Sequence, residues 1–279
     1  PGDEKDLWYL VVAGGRGRIF TSPNLKDWTL QQELYYANGN ELHSECPDLY
    51  PLAVLDKDGN ATGKTKWVYN AASEFYVIGD MVKEDDGIYR FHAETNGISA
   101  QTSGNSSAYA GQSYYNDPVS GRRMTVHWMQ DYSAPGSIPT KRWNGVQSFA
   151  LETTLKQLDD GSYLVVQNPA EEIKALRAGT IHETIDRVVM DGEENILAGV
   201  TGQVYEVEAI IDMNETTATE FGFELRTGSG EKTVVKYNVS SKQMVLDKSS
   251  SSNTGYENQV LSYSLVPTKD GKIKLRAIV

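Results

Sequence analysis

The chain is poor in the residues that most often announce a chemistry. It has a single cysteine among 279 residues, so no internal disulfide can form. Its four histidines, His43, His92, His127 and His182, have no metal-ligand spacing and no HExxH helix, so no metal is expected. Positive charge is also short: 26 Lys and Arg stand against 38 Asp and Glu, for a net charge of -12. No basic face is visible for a phosphate backbone, which argues against a nucleic-acid partner. No run is long and apolar enough for a membrane-spanning helix, so no membrane partner is expected. Helical periodicity is nearly absent, and no cofactor motif occurs.

What is abundant is aromatic and β-branched. The 16 Tyr and 5 Trp are flat, amphipathic side chains that stack on sugar faces and equally fill β-sheet cores. Leu7 to Ala13 is an apolar run broken by Gly14-Gly15-Arg16-Gly17 and resumed at Arg18 to Thr21, which predicts a hairpin. A phosphate-cradling glycine loop would open a helix, and this one precedes a strand. Ser22 to Trp28 is turn-rich, and Trp28 is expected to anchor that loop. Asp56-Lys57-Asp58-Gly59-Asn60 has the alternating oxygens of a calcium loop, but Ala61 and Trp67 occupy the positions where that loop needs glycine and glutamate; a hairpin turn is the better reading.

Further strands are predicted at Lys66 to Tyr69, at Phe75 to Ile78 closed by Gly79-Asp80, and at Ile88 to Phe91. Tyr109 to Tyr115, Met124 to Met129, Ser148 to Leu151 and Ser162 to Val166 follow. Short strands at regular spacing indicate an all-β sandwich, barrel or propeller. Only Ala170 to Leu176 reads as helix, with Asn168-Pro169 as cap and first-turn proline, and it is taken as a link between domains. Beyond it, Glu220 to Arg226 alternates aromatic and aliphatic residues with charged ones. Strands at Val204 to Met213, Thr233 to Val239, Gln243 to Leu246, Leu261 to Leu265 and Lys272 to Val279 complete a β-sandwich, with Ser249 to Thr254 as a surface loop.

Candidate chemistry concentrates in Ser44-Glu45-Cys46-Pro47-Asp48. On an extended segment, residues three apart point to opposite faces, so Glu45 and Asp48 form no tight pair unless the chain turns at Pro47. A proton-donating Glu45 therefore needs a partner elsewhere. Cys46 reads as a buried packing residue that helps position its neighbour. Four N-x-[ST] triplets, at Asn60, Asn105, Asn214 and Asn238, suit a secreted or extracellular protein.

The order of the motifs adds to this. Glu45-Cys46-Pro47-Asp48-Leu49-Tyr50 resembles the E-C motif of glycoside hydrolase family 32, the β-fructosidases that include invertases, inulinases and levanases. Ser22 to Trp28 is similar to that family's S-x-D-L-x-x-W, Tyr76 to Asp80 to its Y-x-x-G-D, and Tyr109-Ala110 with Gln112-Ser113-Tyr114 to its Y-A-x-Q-T-F. Gly121-Arg122-Arg123, Trp128-Met129, Pro139-Thr140, Trp143, Gln167-x-Pro169 and Leu176-Arg177 continue the series.

The resemblance implies a five-bladed β-propeller followed by a β-sandwich. Residues 1–167 would be the C-terminal part of the propeller, 168–178 a linker and 179–279 an incomplete sandwich. It implies retaining hydrolysis of β-fructosidic bonds in sucrose, levan or inulin. Glu45 would be the general acid/base, with a carboxyl nucleophile about 5–5.5 Å away and a pKa raised by burial and by that nucleophile's charge. Trp128, Asp48 and Tyr109 are the expected substrate contacts, and no cofactor is implied. The family's N-D-P-N-G nucleophile motif and its R-D-P motif are both absent. Asn116-Asp117-Pro118 lies after the E-C motif and reads as a turn, so a companion fragment carrying the earlier blades is expected. Ser103-Gly104-Asn105 and Ala150-Leu151-Glu152-Thr153 replace the family's D-x-G and P-R-E-L. A fructosyltransferase and a non-catalytic fructan-binding protein are the alternatives.

Overall fold

The computed structural model of the chain describes residues 7–42, 45–72, 75–99, 108–114, 121–129, 141–143, 145–177, 184–190, 192, 195–251, 260–265, 267–268 and 270–279. The chain divides into two compact units, Pro1–Arg177 and Ala178–Val279. The expectations for Ser103-Gly104-Asn105, Asn116-Asp117-Pro118, Pro139-Thr140, His43 and His182 lie outside the described residues.

In the first unit, β1 (Trp8–Val12), β2 (Arg18–Ser22) and β3 (Thr29–Glu33) form an antiparallel sheet. One face carries Ile19, with Tyr9 and Val11 packed against its cluster. The other is apolar but open: Trp8, Leu10 and Leu30 are 52%, 42% and 45% exposed. The strand β3 escapes a reading by pattern because Thr29-Leu30-Gln31-Gln32-Glu33 is mostly polar. Its side chains are used as linkers, with Gln32 exchanging both amide groups with the Phe91 backbone at 2.7 and 2.8 Å.

A meander follows in β4 (Pro47–Asp56), β5 (Ala61–Ala71), β6 (Phe75–Lys83) and β7 (Tyr89–Ala93). Its sheet is buried on both faces. Tyr69, Ala71, Val77 and Phe91 join Ile19, Leu34 and Leu42 on one side. Tyr50, Leu52, Val54, Val68, Tyr76 and Ile78 join Leu155 on the other. Two buried faces explain why Trp67 to Tyr69 and Phe75 to Ile78 are continuously apolar rather than alternating. The hairpin at Asp56 to Asn60 forms as expected, with Asp56 Oδ1 accepting the Asn60 backbone N–H at 2.8 Å.

The short β8 (Ile98–Ser99) pairs with β6. Then β9 (Tyr109–Tyr114), β10 (Met124–Met129) and β11 (Val146–Gln147) pair, and β12 (Leu151–Gln157) and β13 (Tyr163–Pro169) extend the sheet through β10. The β12 strand also lies parallel to β4, with Leu155 opposite Val54.

Three expectations need correction here. Gly79-Asp80 does not close a strand, since β6 runs on to Lys83. Ser148 to Ala150 are not strand; that strand begins at Leu151. Asn168 and Pro169 pair with Glu152 and Leu151 in the sheet instead of capping a helix. The helix itself is a 3-10 turn series over Glu171–Arg177 with no buried side chain. Without an apolar face to pack, a seven-residue segment has little to hold it in α form.

In the second unit, β14 (Glu206–Asp212) pairs with β19 (Lys272–Ile278). A four-stranded antiparallel sheet is formed by β15 (Glu220–Gly228), β16 (Glu231–Asn238), β17 (Gln243–Ser250) and β18 (Val260–Ser264). Tyr237, Ile273 and Leu275 are buried between these sheets, with Phe221, Phe223, Ile211 and Met244 packed around them. Two sheets closing on one apolar layer make a sandwich.

Candidate active site

Glu45 sits just before β4, with its side chain exposed. The local geometry is set by the two residues after it. Pro47 lacks an N–H and is placed at the first residue of its strand, where none is needed. Cys46 takes a φ of 44°, a left-handed conformation that costs a non-glycine residue about 1–2 kcal/mol. The chain thus turns at Cys46 rather than at Pro47. Cys46 is half-buried, not buried as expected from its neighbours. Burial and then the Glu45 charge push its thiol above the ordinary range, so it is a thiol and a poor nucleophile.

Two neighbours on β9 hold this turn. Gln112 Nε2 donates to the Cys46 carbonyl at 2.9 Å and to the Gly111 carbonyl at 3.1 Å. Ser113 donates its backbone N–H to Asp48 Oδ2 at 2.7 Å. Behind Ser113, Arg123 Nη1 donates to the Ser113 hydroxyl at 2.9 Å, and the guanidinium lies 4.5 Å from the centroid of the Tyr50 ring. Tyr50 is buried. Burial and then the Asp48 charge push its phenol well above the usual range, with Arg123 opposing.

Trp128 and Tyr109 are cross-strand partners on β10 and β9. They meet because of a bulge: Gln112 faces Val126, but the register then shifts so that Tyr109, not Ala110, faces Trp128. Ala110 absorbs the extra residue with a φ of 50°, as bulged residues do where a strand re-aims a side chain. Directly opposed residues share a sheet face. Gln112, Val126, Trp128 and Tyr109 therefore lie on one face, the face from which Gln112 reaches Cys46. Trp128 is 38% exposed there.

Of the four residues expected from sequence, Glu45 and Asp48 flank the Cys46 turn, and Tyr109 and Trp128 pair on the adjoining sheet face. The carboxylate of Asp48 is engaged by Ser113. Gln112, Ser113 and Arg123 were not expected as site residues. They stood inside the Y-A-x-Q-S and G-R-R strings, but only the tertiary hydrogen bonds give them roles. Among the described residues there is no group of three His, Cys, Asp or Glu that could hold a metal ion.

Residues 2–169 match the glycosyl hydrolases family 32 N-terminal domain, and residues 172–279 match the glycosyl hydrolases family 32 C terminal domain. A levanase of Bacillus sp. (strain L7) is 33% identical over 99% of this chain and 30% of its own length. A levanase of Bacillus subtilis (strain 168) is 30% identical over 99% of this chain and 43% of its own. The chain therefore spans less than half the length of these two relatives. The solved exo-inulinase of Aspergillus awamori shares the fold with a TM-score of 0.77, at 23% identity over 99% of this chain and 56% of that one. The all-β architecture is that of part of a β-propeller followed by a β-sandwich, and the chain belongs to glycosyl hydrolases family 32.

Proposed function

We propose that this chain carries the acid/base half of a retaining glycoside hydrolase acting on β-fructosidic bonds of levan, inulin or sucrose. The observation that carries the reading is the match of both family domains along the chain, with Glu45 in the E-C string. Relatives named levanase, fructan beta-fructosidase and extracellular exo-inulinase support the substrate class.

In the first step, a Glu45 carboxyl proton passes to the leaving oxygen as its bond to the anomeric carbon breaks and a carboxylate nucleophile bonds to that carbon. In the second, Glu45 takes a proton from water as water displaces the carboxylate. Trp128 and Tyr109 supply a flat, partly exposed surface for the fructosyl ring, and Asp48 holds the floor of the turn. No N-D-P-N-G string stands among these 279 residues, so the nucleophile is assigned to polypeptide outside them. The 279 residues alone are expected to release no fructose, and a companion polypeptide bearing that string to restore turnover. The extracellular exo-inulinases among the relatives support a location outside the cell.

The test is Glu45→Gln in the full-length protein, assayed for fructose release from levan. A general acid contributes roughly 10²- to 10⁴-fold, and a loss of that order is expected. Turnover at the wild-type rate overturns the reading.

A further inference from the structure

We propose that Gln112 is a positioning residue for the general acid/base, and that strand β9 acts as a clamp on the Glu45–Asp48 turn. This rests on the assignment of Glu45 above. The two ends of the turn are held by two consecutive residues of one strand. Gln112 takes the Cys46 carbonyl through its side chain, and Ser113 takes the Asp48 carboxylate through its backbone N–H. Both contacts join positions about sixty-five residues apart in sequence, so neither is a local turn preference.

The need for a clamp is written in the backbone. Cys46 sits at a φ of 44° next to a proline, and a non-glycine residue persists in that region only where its surroundings over-determine it. The residue before proline is already restricted to few conformations. Gln112 grips the Cys46–Pro47 peptide plane, and Glu45 is joined to that plane through the Cys46 Cα at its φ of 44°, so holding the plane holds the turn from which the Glu45 side chain leaves. Its other contact, to the Gly111 carbonyl, fixes the amide itself, so both protons of Nε2 are used.

Arg123 extends the same device. Its bond to the Ser113 hydroxyl and its stacking over Tyr50 tie β9 to β10 and β4 together. The bulge that aligns Tyr109 with Trp128 begins next to Gln112, so one short strand orients both the acid/base turn and the aromatic pair.

A positioning role makes a prediction that a purely structural role does not. A misplaced acid penalises substrates whose leaving group must be protonated, and spares substrates whose leaving group departs unaided. In the full-length protein, Gln112→Leu is expected to lower kcat/KM on levan by roughly 10- to 100-fold, the order expected for a misplacement near 1 Å. On p-nitrophenyl β-fructofuranoside, kcat/KM should change by less than about threefold, because the nitrophenolate leaves without general-acid help. KM on levan should stay near wild type. Gln112→Lys, which keeps a donor on a chain long enough to reach the carbonyl, should recover most of the levan rate.

The result that overturns the proposal is an equal loss on both substrates, or no loss on either. Glu45→Gln, run beside it, separates the two ideas. If Glu45→Gln shows the levan-selective loss and Gln112→Leu does not, the clamp is wrong and the acid/base assignment stands. If Glu45→Gln lacks the selective loss, the acid/base assignment falls and the clamp with it.

Discussion

The Asp48 carboxylate accepts the Ser113 backbone N–H at 2.7 Å, across 65 residues of chain. A hydrogen bond to a charged group is worth about 1.5–3 kcal/mol, and an amide left unpaired adds to its loss. Asp48→Ala is expected to lower the stability of the first unit by that amount in urea unfolding. Asp48→Asn keeps an acceptor oxygen in place and should lose less than half as much. Equal losses would show that the bond is not what holds β9 to β4.

Arg123 stacks 4.5 Å from the Tyr50 ring centroid while donating to Ser113. Guanidinium and ammonium are not equivalent at such a site, because only the planar fork stacks and donates at once. Arg123→Lys is therefore expected to recover little of what Arg123→Ala loses, about 2 kcal/mol where the cation is desolvated. Tyr50→Phe keeps the ring and should retain most of the stability, whereas Tyr50→Leu should not. Thermal unfolding of the four variants checks the ranking.

Gly79 lies inside β6, between Trp67 on one side and Ala93 on the other. A Cβ there would come within 2.2 Å of the His92 carbonyl oxygen and 2.9 Å of the Phe91 ring. Gly79→Ala is expected to destabilise the first unit by at least the 1–3 kcal/mol typical of overpacking, seen as a lower urea midpoint. Gly222→Ala in β15 meets the Val235 carbonyl oxygen at 2.0 Å and should do the same to the second unit.

Gly79 also marks where reading the sequence stops working. The string Ile78-Gly79-Asp80 looks like a strand end, because a glycine followed by an aspartate usually turns. Here the glycine is required by a close backbone approach within the sheet, and that is a property of strand β7, which arrives later. The same limit hid β3, whose polar residues pair with backbone rather than with a core. By contrast, β10, β15 and the hairpin of β1 and β2 were legible because one burial pattern governs each. At the site, the Glu45 string, Trp128 and Tyr109 could be named from motif order. Gln112 and Arg123 could not be given roles, since Cys46 and Tyr50, which they reach, lie far away in sequence.

His127 is 2% exposed, and among the described residues neither ring nitrogen has a hydrogen-bond partner of ordinary geometry. Burial lowers its pKa below 6.5, with Gln167 nearby pulling the other way. The unfolded chain then binds this proton more readily than the folded one. Stability from this group is complete above about 6.5 and is lost as pH falls from there through the lower folded value. His127→Leu removes both the unpartnered nitrogens and the titration. It is expected to raise stability at pH 5 relative to wild type, by more than at pH 8, in paired denaturation curves.

Trp128 and Tyr109 stand opposite each other across the bulge of β9 and β10. Burying one face of a fructosyl ring against the Trp128 indole is expected to contribute on the order of 1 kcal/mol to binding. Trp128→Ala in the full-length protein should therefore raise KM for levan roughly 2- to 10-fold. An unchanged KM would remove Trp128 from the sugar surface.

The parallel pairing of β12 with β4 ties the unit's first half to its end, and the Lys57–Asp159 ion pair closes a span of 102 residues. Such contacts form late, because the entropy of closing the loop is spent before the contact can repay it. As the chain leaves the ribosome, β4 to β7 can zip together as neighbours, but the edge of β4 stays unpaired until Leu151 to Gln157 emerge. During that interval the open edge of the strand that follows Glu45 is exposed to pairing with other chains, and chaperone demand should fall when β12 is supplied.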